Sequence, residues 1–218
     1  MLQRELEELE ELANPLLEAG RALMDKCQES IFPCDALGLT VLARAVNIYN
    51  GFKLLISGKN YECAASLLRL NLDNILRFYG VTTCDDPHQI ADEMLSGTPL
   101  RKIKHSKGGA MNDAYLVKLL GNENPWLADA YDILSGFIHL SDRHFEHMLL
   151  QSVQSEDGVR TFRISDGDDH VPDEQKANLV HTFAVVTRGT TALLQHWADT
   201  RDRYGPVEEL HSKFTKVV

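Results

Sequence analysis

The chain lacks most of what would hold a secreted or metal-built domain together. It has four cysteines in 218 residues, Cys27, Cys34, Cys63 and Cys84, and none stands in a CxxC pair. That spread excludes a disulfide framework and a zinc knuckle, and it points to reduced, mostly buried thiols in a cytoplasmic protein. No cationic, apolar leader opens the sequence. The longest apolar run, NLVHTFAVVTRGTTALLQHW, is interrupted by His181, Arg188 and His196, so it reads as a buried helix and not a membrane span. Positive charge is scarce too. Twenty-two Lys and Arg against 32 Asp and Glu leave a net charge of -10, which disfavours a protein that coats nucleic acid by neutralising phosphates.

What the sequence does have is helical periodicity. With 44% apolar and 25% charged residues it has the composition of a globular domain. The apolar residues Leu2, Leu6, Leu9, Ala13, Leu16, Gly20, Leu23 and Cys27 follow steps of three and four, which lays one stripe along a helix. Asn14-Pro15 fits a cap and first-turn proline, so residues 1–28 form one amphipathic helix or a kinked helix pair. The stripe packs on its own core or zips a coiled coil, and it motivates the expectation of a homodimer. A second helix runs through PCDALGLTVLARAVNIYNGFKLLISG and stops at Gly58; a third is NYECAASLLRLNLDNILRFYG. The short SGKN link predicts an antiparallel hairpin. Further helices follow around Gln89 to Leu95, in AMNDAYLVKLLG and in PWLADAYDILSGFIHLSDRHF. Around Asp157-Gly158 the period changes to alternation, which predicts a β-hairpin near 148–164. A long helix from about Asp173 to Tyr204 and a tail at 205–218 complete the chain. The expected architecture is therefore mainly α: a single-domain bundle of about six or seven helices over 1–218, carrying one small hairpin.

Several polar groups are candidates for chemistry. On a continuous helix His139, Arg143 and His147 share a face, beside Asp142 and Glu146, and an imidazole next to an arginine can act as general acid or base. The bland alternative is a polar helix end. The metal-independent HEPN ribonucleases are similar in pairing Arg and His four to six residues apart on one helix. Arg143 and His147 have three residues between them, one too few, and Arg163 and His170 are separated by turn sequence. Glu208 and His211 supply a single Glu-x-x-His pair, where a carboxylate-bridged di-iron bundle needs two. Asp166, Asp168, Asp169 and His170 lack the regular spacing of a calcium loop and read as a solvated acidic turn. No cofactor and no metal site is expected. In LRKIKHSKGGAMND the basic loop places Lys104, Lys107, Gly108 and Gly109 before a helix, an arrangement suited to an anion or simply to a surface loop. Arg69, Asp73 and Arg77 lie four apart, and Arg44 sits inside VLARAVNIY; such charges bordering a core require partners.

The helix AASLLRLNLDNILRFYG followed by YDILSGFIHLSD resembles uncharacterised helical families of bacteria and their mobile elements, some found beside abortive-infection genes. The resemblance picks out Arg69, Asp73, Tyr131, Ser135 and His139, and it implies a bacterial or phage origin and a defence-linked role. The reading taken to the structure is a cytoplasmic binding protein whose ligand or partner meets the seam of those five residues. The alternative is a hydrolase or HEPN-like ribonuclease that uses His139 with Arg143 or Arg69.

Overall fold

The computed structural model describes residues 1–27, 30–162, 164, 167–205 and 207–214, apart from the side chains of Arg143, His147 and Val207. The leucine stripe at the start is divided between α1 (Leu2–Glu10) and α2 (Ala13–Cys27). The break falls at Glu11-Leu12, ahead of Pro15, because the proline ring would collide with the Glu11 carbonyl of an unbroken helix. Leu9, Leu16 and Leu23 are buried against the long α9 (Asp173–Thr200). The stripe is thus spent inside the chain, and the coiled-coil basis for a dimer goes with it.

α3 (Pro33–Ser57) and α4 (Tyr61–Thr82) form the expected helical hairpin. The left-handed residue at its turn is Lys59, with φ of 56°, and not Gly58; this lets the Asn60 amide donate to the Leu55 carbonyl at 2.8 Å. Asn60 then caps α4 by accepting from the Cys63 amide at 3.2 Å. α4 is the central element, packed by α3, α9, α5 (Pro87–Leu95), α6 (Asp113–Gly121) and α7 (Leu127–Ile138).

The rest departs from expectation in detail. What reads as one helix through Phe145 is two, α7 and α8 (Asp142–Leu150), so the hairpin starts later than residue 148. Its strands β1 (Ser152–Gln154) and β2 (Arg160–Phe162) are antiparallel with Val153 opposite Thr161, and Gly158 takes φ of 83° at the turn. The tail includes α10 (Val207–Lys213), whose Leu210 is buried. Among the described residues there are ten α-helices, more than the six or seven expected, because two predicted helices are broken and short ones are added. No helix is long and apolar enough to cross a membrane among the described residues.

A buried ion pair locks the bundle end. Asp35, fully buried, accepts from the Phe32 amide at 3.1 Å, the Trp197 indole at 3.0 Å, and Arg201 at 2.7 and 3.0 Å. Arg201 also donates to the carbonyls of Lys26 at 3.2 Å and Ser30 at 3.4 Å, joining the ends of α2 and α9 to the start of α3. Beside it, buried His88 accepts from the Cys34 amide through Nδ1 at 3.3 Å. Burial pushes the His88 pKa below the ordinary imidazole range, against a pull upward from Asp35 and with a push downward from Arg201.

Two predictions follow from this end of the bundle. Asp35→Ala strands the buried guanidinium and should lower stability by about 3–5 kcal/mol in urea unfolding; a loss under about 1 kcal/mol would show that the pair is not a lock. The unfolded chain takes up a proton at His88 that the fold resists, so this contribution is complete above about pH 6.5 and declines as pH falls below it. The melting temperature should therefore drop between pH 7 and pH 5, and drop less in His88→Gln. Parallel pH profiles for the two proteins would assign the effect elsewhere.

Candidate functional site

The polar face of α4 meets α7 and α6 in one connected network. Arg69 stacks its guanidinium 4.0 Å above the Tyr131 ring and donates to the Tyr131 hydroxyl at 2.5 Å and to Ser135 Oγ at 3.4 Å. The Tyr131 hydroxyl in turn donates to Asp113 Oδ2 at 2.8 Å. Burial and that hydrogen bond push the phenol pKa up, with Arg69 opposing, so the hydroxyl stays protonated and passes the contact on to the carboxylate. Asp73 serves three cations: Arg77 Nε at 2.8 Å, Arg44 at 3.4 Å and Arg69 at 4.0 Å. Arg77 also reaches Asp113 at 3.1 Å, and Arg44 donates to Asn74 Oδ1 at 2.5 Å. The side chain of Arg69 is 11% exposed, whereas those of Arg44 and Arg77 are 40% and 34% exposed. Arg69 is sealed by its partners; Arg44 and Arg77 form the rim.

Four of the five residues expected at the seam, Arg69, Asp73, Tyr131 and Ser135, are therefore brought together. His139 is not. α7 ends at Ile138, His139 is extended at φ of -115° and ψ of 147°, and its side chain is exposed. At the break the Ser141 hydroxyl donates to the Gly136 carbonyl at 2.8 Å, supplying a partner to a group that the end of the helix leaves without an amide donor. Ser141-Asp142 is a helix-start signal that marks this break in the sequence. Arg143 lies in α8, so the proposed His139–Arg143 face is divided between two helices; the side chains of Arg143 and His147 lie outside the described residues.

The basic loop is built differently from an anion cradle. The Lys107 amide donates to His105 Nδ1 at 3.0 Å and the Gly108 amide to the His105 carbonyl at 2.7 Å, so those donors are spent internally. A Cβ on Gly109 would lie 2.0 Å from the Tyr115 ring, and Gly108 has φ of 99°; both glycines answer to packing and turn geometry. Lys104 and Lys107 are exposed. The acidic turn is partly structural: Asp168 is buried and pairs with Lys176 at 2.8 Å, and Asp169 pairs with Lys59 at 3.0 Å. Asp166 and Arg163 lie outside the described residues. Among the described residues no three His, Cys, Asp or Glu side chains are grouped to hold a metal, and His211 of the Glu208 pair packs on the Phe32 ring at 5.2 Å.

Sequence reasoning missed the space behind α7. The seam uses Tyr131 and Ser135; the adjacent stripe, Ala130, Ile133, Leu134 and Phe137, faces Gln175, Asn178, Leu179 and Thr182 of α9. Tyr61 and Leu68 of α4 complete a recess of about 340 Å³, and none of the lining side chains is charged. The stripes are legible as i, i+3, i+4, i+7 patterns on both helices, but nothing in the sequence says that they stand apart. The Ser66 hydroxyl, donating to the Phe137 carbonyl at 2.9 Å, and the Arg69 stack together pin α7 on α4 and so fix one wall.

No known protein family, no curated protein and no solved structure matches this chain.

Asp73→Ala leaves three guanidiniums with one fewer carboxylate and should cost about 2 kcal/mol, between an exposed and a fully buried pair. Glu8 is more exposed and pairs with Arg188 at 3.2 Å on the surface, so Glu8→Ala should cost less than about 1 kcal/mol. Equal melting temperatures for the two variants would contradict the network.

Proposed function

We propose that this chain is a binding protein, working in the cytoplasm as a homodimer, and that its ligand is a neutral, largely apolar molecule held between α7 and α9. The observation that carries this reading is the recess itself: about 340 Å³, walled by the apolar stripe of α7, by Tyr61 and Leu68 of α4 and by Leu179 of α9, with Gln175, Asn178 and Thr182 as its hydrogen-bonding groups. Small-molecule sites have this character, apolar walls with a few polar groups that set orientation. The absence of charge in the lining disfavours nucleotides and other phosphorylated ligands, whose burial needs a compensating cation. The Arg69 network then has a supporting role, holding the α7 wall, and is not itself the ligand contact. The free thiols, three of them buried, support the compartment.

A ribonuclease reading would need an Arg–His pair converging on one point; the helix break divides His139 from Arg143, while Arg143 and His147 both lie on α8 with side chains outside the described residues. The defence-linked setting rests on the resemblance through Arg69, Asp73, Tyr131, Ser135 and His139 alone.

Ala130 and Thr182 line the recess while remaining partly exposed, so a larger side chain there fills space without disrupting the core. Nile red, a neutral apolar fluorophore, should bind the folded chain, and Ala130→Trp and Thr182→Trp should each weaken binding at least about tenfold, the loss of about 1.4 kcal/mol, with unchanged melting temperature. Undiminished binding in both plugged variants would place the apolar site elsewhere.

A further inference from the structure

The most apolar exposed surface on this chain lies on α8 and the hairpin. Phe145, Met148 and Leu149 fall three and four residues apart on α8, and are 60%, 39% and 46% exposed. Leu150 and Val153, at 57% and 71%, continue the surface into β1, while Phe162, at 48%, stands opposite Ser152 and so on the other face of the ribbon from Val153. Monomeric proteins rarely leave so many large apolar side chains together in water.

The hairpin is also incomplete as a sheet. It has two strands of three residues, and every strand residue except Ser152 is exposed. A two-stranded ribbon of this kind is marginal in water without a third strand or a packed face. Among the described residues the outer edge of β1 pairs with nothing. Edge strands are ordinarily guarded by charge or proline, yet from Met148 to Ser155 the chain carries neither.

We infer that this face is the homodimer interface, with β1 pairing antiparallel to β1 of a second copy across a two-fold axis centred on Val153. The symmetry makes the strand its own test of complementarity, because each residue meets the one equally far on the other side of Val153. Val153 meets Val153 of the second copy, Ser152 meets Gln154, Gln151 meets Ser155, and Leu150 meets Glu156. No charge faces a like charge, so an acidic chain meets its copy here without repulsion along the strand. The result is a four-stranded sheet, β2-β1-β1-β2, flanked by the two α8 helices with Phe145 and Leu149 buried between copies. This inference rests on the homodimer part of the proposed function and is independent of the ligand.

The test combines sedimentation with cross-linking. The full chain should sediment as a dimer at 50 µM (about the working range of such interfaces). Val153→Lys and Leu149→Asp should each weaken association at least about a hundredfold with helical circular dichroism unchanged. Leu54→Asp, at a leucine 74% exposed on α3, should leave the dimer intact. In a Cys63→Ser background, Val153→Cys should form a disulfide with its twin on mild oxidation, since directly opposed antiparallel residues have Cα atoms about 4.5–5.5 Å apart. Leu54→Cys should not. A dimer that survives both face variants and gives no Val153→Cys cross-link overturns this interface while leaving a homodimer standing. A wild-type monomer overturns the interface and the homodimer together, and leaves the Nile red result to judge the ligand.

Discussion

The charge balance around Asp73 constrains the rest of this fold. α4 is packed by five other helices, so the three arginines near its polar face cannot all escape to water. Arg44, Arg69 and Arg77 converge on Asp73, and Asp113 from α6 supplies a second carboxylate, 3.5 Å from Arg69 and 3.1 Å from Arg77. Tyr131 then bridges Arg69 to Asp113. α6 and α7 are therefore fixed on α4 partly by polar contacts of defined direction, which tolerate less sliding than apolar ridges do. The position of α7 follows, and with it the gap to α9.

A second constraint closes the opposite side of the core. Asp35 and Arg201 are 166 residues apart, yet their pairing joins three helix ends, with the Trp197 indole completing the carboxylate's contacts. Burying such a pair costs desolvation, so it makes a weak case for stability by itself. Its value is positional: an alternative register of α9 would leave a carboxylate or a guanidinium unpaired in the interior. His88 sits against the same cluster as a neutral ring, its edge toward Phe32 at 5.9 Å and toward Trp197 at 5.4 Å. The polar groups here specify one packing of an otherwise permissive apolar core.

Much of this was legible where local rules decide. The helical hairpin was, because three link residues leave the chain no other course; so was the Gly158 turn. Arg69, Tyr131 and Ser135 were singled out by the resemblance, and spacing adds only that Tyr131 and Ser135, four apart, share a helix face. Two features misled. The spacing of Ser135 and His139 suggests one face only if the helix continues, and it ends at Ile138, with His139 extended. The leucine stripe of residues 2–27 is equally consistent with a partner helix in another chain or in its own; which one depends on α9, nearly 150 residues later. The recess was invisible for the same reason. Periodicity reports which residues share a face but not how far that face stands from its neighbour.

The geometry also explains why the unusual surfaces gather at one end. The core built on α4 and α9 saturates its charges internally, through Asp73, Asp113 and Asp35. α7 is held on α4 along one stripe only, and its opposite stripe borders the recess. Beyond Ile138 come α8 and the hairpin, which present apolar side chains that no other described residue covers. A segment that contributes little to the core is free to carry residues chosen for something other than folding, because substituting them costs the bundle almost nothing. Leucine, valine and phenylalanine stand exposed there, and an apolar surface of that extent is expected where it is covered for part of the protein's working life. The recess borders α7 directly and α8 follows it after a short break, so the position of both rests on the contacts, the arginine stack among them, that hold α7 on α4.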